Sequence, residues 1–322
     1  MFDLIAFIPR AVVQGVPLLF GSTGETLTEK SGNLNLGIPG VMYVGGISGV
    51  IGAFLYEQSL ASKADINGFL AIMIPLLACL LGSLLMGLIY CFLTVTLRAN
   101  QNVTGLALTT FGVGLMKVIM SKMDATVYLV GPKMLYRWPF ANRQDSLQCL
   151  GVLFFLAILI AMTAGWVLFR TKVGLHLRAV GENPATADAV GINVNRYKYV
   201  ATCVGSAIAG LGGFYYIIDY MASQEAYLSL EAFGWLSIAL VIFALWRPPV
   251  TIIGSTVFGF LFSCSSYITN IDWIRVTMAT KPLLKMLPYV VTILVLIVSS
   301  VRNKRENQPP SSLGLSYFRE DR

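Results

Sequence analysis

Charge is the scarcest property of this sequence. Of its 322 residues only 12% are Asp, Glu, Lys or Arg, 56% are apolar, and the mean hydropathy is +0.72. Soluble domains carry about 25% charged residues, so the composition excludes a soluble globule and places the chain in lipid. Histidine is nearly absent. His176 stands alone among basic residues of a polar loop, and without a second imidazole or clustered carboxylates a metal centre or hydrolytic triad has no partners to build on. It reads as a solvated side chain. The cysteines, Cys79, Cys91, Cys149, Cys203 and Cys264, lie far apart in or beside apolar runs, which gives neither a metal-ligand spacing nor a disulfide framework. Also missing is any Gly-x-x-x-x-Gly-Lys-Ser/Thr run, so no phosphate loop can form. No cofactor or metal is expected in the chain itself. The net charge of +7 sits on Lys and Arg that flank apolar runs. No basic face interleaved with aromatics is present for nucleic acid.

What the sequence has in abundance is apolar length. Runs at 4–20, 39–56, 69–97, 103–120, 147–169, 199–218, 232–246, 250–268 and 286–301 approach or exceed the roughly 20 residues that cross a hydrocarbon core. The predicted fold class is therefore an all-α integral membrane protein, a polytopic bundle of about nine or ten transmembrane segments. The first run holds Arg10, Pro9 and Pro17 and lacks a small-x-small cleavage site, so it is expected to stay as the first segment. The run 69–97 outlasts a hydrocarbon thickness of about 30 Å and reads as one long helix that tilts or protrudes. Gly45, Gly49 and Ala53 form one small-residue ridge and Gly205, Ala209 and Gly213 another, the spacing that lets helix backbones approach closely. Residues 1–301 are thus read as the transmembrane domain. The tail 302–322 contains Asn307-Gln-Pro-Pro-Ser-Ser312, polar and proline-rich, and is predicted to be disordered.

Orientation follows from the loops. The segment 170–198 carries Arg170, Lys172, Arg178, Arg196 and Lys198 against Glu182 and Asp188, and the tail begins with Arg302, Lys304 and Arg305. The excess of Lys and Arg predicts that both are cytoplasmic, and the four runs between them agree in parity. Between them, 219–231 has Asp219, Glu225 and Glu231 and no base, which suits the opposite side. A conflict remains at 121–146, where Lys122, Lys133, Arg137 and Arg143 fall on the outer side. Either the N-terminus is outside, or a broken or re-entrant helix lies near it.

Two segments stand out chemically. In 171–194, Asn183 can cap a helix, Pro184 suits its first position, residues 185–190 continue it, and Gly191 can end it in a left-handed turn. A helix of two turns is marginal alone, so it is either a connecting turn or a docking element held between this chain and another protein. The second segment, 21–37, is polar between apolar runs, with Glu25, Glu29, Lys30, Asn33 and Asn35. It is either a surface loop with a Glu29/Lys30 pair, or it enters the membrane against protein or water. In the latter case Asn33 and Asn35 offer neutral donors and acceptors to a solute.

The run Thr171-x-x-Gly-Leu-x-Leu-Arg-Ala-Val-Gly-Glu-x-Pro-x-x-Ala-x-x-x-Gly-Ile-x-Val194 resembles the coupling region of permeases in the ribose, branched-chain amino acid and nucleoside class of ABC importers. Gly24-Glu-Thr-Leu-Thr-Glu-Lys-Ser-Gly-Asn-Leu-Asn-Leu-Gly37 and Gly234-Trp-Leu-Ser-Ile-Ala-Leu-Val-Ile-Phe-Ala-Leu-Trp-Arg-Pro-Pro249 resemble the same family. Thr28-Glu-Lys-Ser-Gly32 is most like the shorter of the two paired permeases of bacterial nucleoside importers. The resemblance implies an inner-membrane permease subunit that couples to separate ATPase subunits through Gly181, Glu182, Asn183, Pro184, Ala187 and Gly191. It also implies a second, similar permease as a heterodimer partner, an extracytoplasmic solute-binding lipoprotein, and ATP and Mg bound by the partner ATPases. The chain itself performs no covalent chemistry. Glu25, Asn33, Asn35 and Thr109 would lie near the solute path. Two departures touch that region: Pro39 replaces the family's usual carboxylate, and Thr109 stands where asparagine is common. Nucleoside is the expected solute, with a sugar or branched-chain amino acid as the alternative. An ion-coupled secondary transporter would need a carboxylate within a span, and none is read there.

Overall fold

The structure, a computed structural model, describes residues 4–60, 66–122, 150–221, 227–267, 286–302 and 308–318. Among these residues the chain forms helices and no strands, as lipid requires of an open chain that must satisfy its own backbone. In chain order the helices are α1 (Leu4–Gln14), α2 (Val16–Glu29), α3 (Ile38–Ser59), α4 (Gly68–Cys91), α5 (Gln101–Met120), α6 (Val152–Arg170), α7 (Lys172–Glu182), α8 (Pro184–Ala189), α9 (Val194–Phe214), α10 (Tyr227–Phe243), α11 (Pro248–Tyr267) and α12 (Leu287–Arg302). Wider-wound turns extend α4 through Phe92–Thr96 and α9 through Tyr215–Met221. Among the described residues five spans are long and apolar enough to cross a membrane: Ile38–Gln58, Gly68–Thr96, Gln101–Met120, Val152–Arg170 and Val194–Met221. The long run predicted at 69–97 is thus a single span that ends in a π-helical turn.

The helices divide by environment. α4 and α6 are peripheral and turn large apolar side chains outward, Phe69, Leu81 and Trp166 each being more than 60% exposed. α2 is the opposite: all of it is buried, from Val16 to Glu29. Here the structure corrects the sequence reading. The polar residues after Phe20 are a continuation of helix, broken only at Gly15, and Glu25 and Glu29 are carboxylates inside the bundle, where the sequence was read as having none within a span. Their polarity is tolerated because protein surrounds them on every side.

Small residues set the packing around α2. A Cβ on Gly24 would strike the Gly205 carbonyl, and one on Gly205 would strike the Gly24 carbonyl and lie 2.5 Å from the Thr28 hydroxyl. The ridge expected at 205, 209 and 213 is therefore shared. Gly205 meets α2, while Gly213 meets the Met42 carbonyl of α3. Gly45 packs on Gly210 and Gly49 on Phe214, so the first ridge faces α9, but on residues beside the predicted second ridge and not on its members. At the kink, Gly15 packs on the Ser255 backbone of α11.

Two sequence expectations meet other fates. The basic run 121–146 lies, beyond Lys122, outside the described residues, as does Cys149. The tail predicted to be disordered holds an ordered piece instead. Residues 308–318 fold back on the bundle, Ser312 N donating to Gly181 O at 3.0 Å and Gly314 N to Gly32 O at 3.1 Å. Composition registers low hydrophobicity, but it does not register carbonyls waiting for donors.

The α2–α9 seam yields a direct test. Gly205→Leu forces backbone against side chain and is expected to destabilise the detergent-solubilised chain by about 1–3 kcal/mol. Gly114→Ala, at a position with nothing within 4 Å, serves as control and is expected to hold or raise the melting temperature. Thermal unfolding followed by tryptophan fluorescence compares them; equal melting of the two variants would contradict the seam.

Candidate functional site

The polar segment after α2 is a compact corner. Gly32 takes φ +86°, a left-handed conformation that glycine adopts without strain, and turns the chain so that 33–37 run beneath the bundle. Distant helices then satisfy this stretch. Asn33 Nδ2 donates to Thr202 Oγ1 at 3.0 Å, Gln101 Oε1 accepts from Leu34 N at 2.7 Å, and Tyr90 OH donates to Leu34 O at 2.6 Å. Asn35 N donates to Glu25 Oε1 at 3.1 Å, and Asn35 Oδ1 accepts from Gly37 N at 2.9 Å. Thr109 Oγ1 donates to Leu36 O at 3.0 Å. At the end of α2 the Trp246 indole N–H donates to Glu29 Oε2. The Lys30 ammonium lies 6.0 Å from the Trp246 ring. Burial, opposed in part by the Glu182 carboxylate, holds Lys30 below the ordinary lysine pKa.

The structure therefore brings Glu25, Asn33, Asn35 and Thr109 together around one corner. It also seals them, since Glu25, Asn33 and Asn35 have no solvent exposure and Thr109 only 5%. Not every polar atom there is used. Among the described residues Thr23 Oγ1, Glu25 Oε2, Asn33 Oδ1, Asn35 Nδ2 and Ser206 Oγ are buried with no protein partner. They offer both donors and acceptors along the α2–α9 seam. Native interiors leave few such groups, and clustering at one seam sets this place apart. Sequence reasoning missed Thr202, Tyr90 and Ser206, which lie in apolar runs, and Gln101; Trp246 stood inside the 234–249 run without being singled out.

The second predicted site folds as its residues dictate. Thr171 caps α7, its Oγ1 accepting from Gly174 N at 3.1 Å, and Asn183 caps α8, its Oδ1 accepting from Thr186 N at 3.0 Å. Pro184 opens α8 where no N–H is needed. Gly191, at φ +86°, closes it, with Gly191 N donating to Asp188 O and Ile192 N to Ala187 O, both at 3.0 Å. Ala187 is the buried face, packed with Val180 and Val194. Val190, 71% exposed, points away. α8 is thus fixed to the bundle on one side and bare on the other. His176 is not simply solvated: its Nδ1 lies 2.9 Å from the Tyr197 hydroxyl.

The two sites touch. Gly181, the residue before Glu182 at the end of α7, lies against Lys30 and Gly32, and a Cβ there would strike the Lys30 carbonyl. No group of three or more His, Cys, Asp or Glu that would hold a metal ion occurs among the described residues.

A family model described as branched-chain amino acid transport system / permease component matches residues 7–296. The guanosine ABC transporter permease protein NupQ of Bacillus subtilis (strain 168) is 28% identical over 313 residues, 91% of each chain. The nucleoside ABC transporter permease protein NupC of Lactococcus lactis subsp. cremoris (strain MG1363) is 30% identical over 304 residues, 90% of each chain. NupB, a second nucleoside ABC transporter permease protein of that strain, is 24% identical over 238 residues, 70% of this chain and 63% of its own.

Asn183→Ala removes the α8 cap and is expected to cost about 1 kcal/mol of local helix stability. Amide exchange across 184–191 should accelerate about fivefold while that of α9 stays unchanged. Unchanged exchange across 184–191 would show that the cap does not hold α8.

Proposed function

We infer, from the branched-chain amino acid transport system / permease component family to which this chain belongs, that it is the nucleoside-conducting permease of an ATP-driven importer. It is a multi-pass membrane transport subunit and not an enzyme. The observation that carries the solute class is the 30% identity, over nine-tenths of both chains, with a nucleoside permease.

In this reading α8 is the lever. Its loop and the C-terminus lie in the cytoplasm, by the excess of Lys and Arg in 170–198 and after 302, and the bare face of α8 seats a separate ATPase subunit that binds ATP and Mg. Gly181, Glu182, Asn183, Pro184, Ala187 and Gly191 carry its movement inward, because Gly181 lies on the α2–α3 corner. Displacing that corner opens the α2–α9 seam. The spare groups Glu25 Oε2, Asn33 Oδ1 and Asn35 Nδ2 then meet the solute, and Thr109 holds Leu36 in place. A ribose ring and a heterocycle present hydroxyls, ring nitrogens and carbonyls, which the neutral amides of Asn33 and Asn35 match, with Glu25 Oε2 beside them as an acceptor for a hydroxyl or ring N–H. The complex also includes a second, related permease and an extracytoplasmic solute-binding lipoprotein.

Two measurements test this. A deletion strain should lose uptake of labelled guanosine or uridine and keep uptake of ribose and of leucine; the reverse pattern would overturn the solute class and leave the permease standing. Gly191→Val places a β-branched residue at a left-handed position, a strain of about 1–3 kcal/mol. Uptake per ATP hydrolysed should fall at least about fivefold with the protein still in the membrane. Normal uptake by that variant would remove α8 from the coupling path.

A further inference from the structure

The ordered tail piece, residues 308–318, packs back on the bundle. It runs across the junction of the two sites and bonds to both. Ser312 donates twice to Gly181 O, through N at 3.0 Å and Oγ at 2.5 Å. Two residues on, past the buried Ser312, Gly314 N donates to Gly32 O at 3.1 Å, with Gly314 at φ +79°. Gly181 and Gly32 are the residues that touch where the α7–α8 loop meets the α2–α3 corner, so the tail ties the two sides of that contact together. Further out, Ser311 Oγ donates to Glu182 Oε2 at 2.8 Å and Tyr317 OH to Asp188 Oδ2 at 2.9 Å. Tyr317 also packs on the Val180, Ala187 and Val194 cluster that seats α8. A third element joins: Gln101 Nε2 donates to Leu315 O at 3.5 Å, and the Arg98 guanidinium stands 4.6 Å over the Phe318 ring. Gln101 also holds Leu34 N.

We propose that residues 308–318 are a strap that binds the α7–α8 loop, the α2–α3 corner and the α4–α5 corner into one body, with Ser312 and Tyr317 as its positioning residues. The proposal rests on the coupling reading of α8. A short helix pulled by a motor subunit would otherwise slip past the corner, since α7, to which it is joined, meets that corner through Gly181 against the Lys30 and Gly32 backbone. With the strap in place both glycine carbonyls are held by neighbouring residues of one segment, and movement of α8 carries Gly32, and with it Asn33 and Asn35. Ordering a polar, proline-rich segment is entropically costly, and its hydrogen bonds are placed where they link elements rather than merely fasten the tail to one surface.

The test uses the complete complex in proteoliposomes, with labelled guanosine uptake, ATP hydrolysis and the amount of bound motor subunit measured together. A chain stopped after Gln308 is expected to bind the motor normally and hydrolyse ATP, with uptake per ATP lowered about fivefold or more. Tyr317→Phe, which keeps the packing and removes only the bond to Asp188, should lower the same ratio by a smaller factor. Asp188→Ala, which leaves no acceptor for the Tyr317 hydroxyl, should do likewise, and the double variant should fall no further than that single variant, as expected for one shared interaction. A wild-type ratio in the stopped chain overturns the strap. So does loss of motor binding, which would make the tail part of the docking surface instead. If the stopped chain fails to assemble, the Tyr317 and Asp188 variants decide, and additive or absent effects overturn the proposal. When Gly191→Val uncouples but the tail variants do not, only the strap fails; when Gly191→Val is also normal, the coupling reading fails with it.

Discussion

A polar group inside a membrane protein must find its partners within the protein, because lipid supplies none. α2 is the element on which this constraint falls hardest. It carries Ser22, Thr23, Glu25, Thr26, Thr28 and Glu29 into the centre of the bundle with almost no exposure. Thr26 and Thr28 return their hydroxyls to Ser22 O and Gly24 O of their own helix, while the carboxylates and asparagines need α9, Trp246 in the turn after α10, and the 33–37 corner. The glycine contacts follow from the same need. Partners must come within hydrogen-bond reach, so α9 approaches α2 at Gly24 and Gly205, where no Cβ intervenes. Without a hydrophobic drive between helices in lipid, such close packing and these hydrogen bonds are what hold the bundle.

The same constraint bears on the proposed solute path. A fully satisfied polar seam would be a rigid core, whereas a partly satisfied one is held closed by packing and keeps unused donors and acceptors, the groups the proposal assigns to a polar solute. The Asn33–Thr202 and Asn35–Glu25 bonds close the seam, and Glu25 Oε2, Asn33 Oδ1 and Asn35 Nδ2 remain. The contact of Gly181 with Lys30 and Gly32 joins this corner to the α7–α8 loop, the connection through which the proposal passes the movement of α8.

What was legible in the sequence depended on how local its cause is. α8 could be read residue by residue, because Asn183, Pro184 and Gly191 act within a turn of where they stand. Five of the nine apolar runs were equally plain, down to the single long helix through 69–97, whereas the run 4–20 is broken at Gly15 and the runs 232–246 and 250–268 fall on shorter apolar helices. For 21–37 a surface loop and a membrane-entering segment both stayed open, because its polarity mimics a loop and the residues that make it tolerable are remote: Thr202, Tyr90 and Gln101 belong to other helices and Trp246 to the turn after α10. The glycine ridges were visible as ridges, but not which helix each would meet. The tail was misjudged for a similar reason. Pro309, Pro310, Ser311 and Ser312 have the composition of disorder, and only the fold reveals that Gly32 and Gly181 present carbonyls to it. The family resemblance, carried on 24–37, 171–194 and 234–249, matched the comparison with known permeases.

The central claim is that the α2–α9 seam is closed at rest and opened by the motor. In a chain with its native cysteines replaced, Asn33→Cys is assembled into the complete complex and its rate of modification by a small aqueous thiol reagent is measured. The account predicts slow modification without ATP, a rate at least about tenfold higher during ATP hydrolysis, and slowing again by saturating guanosine. A rate indifferent to ATP, in a complex that still imports guanosine, would contradict it.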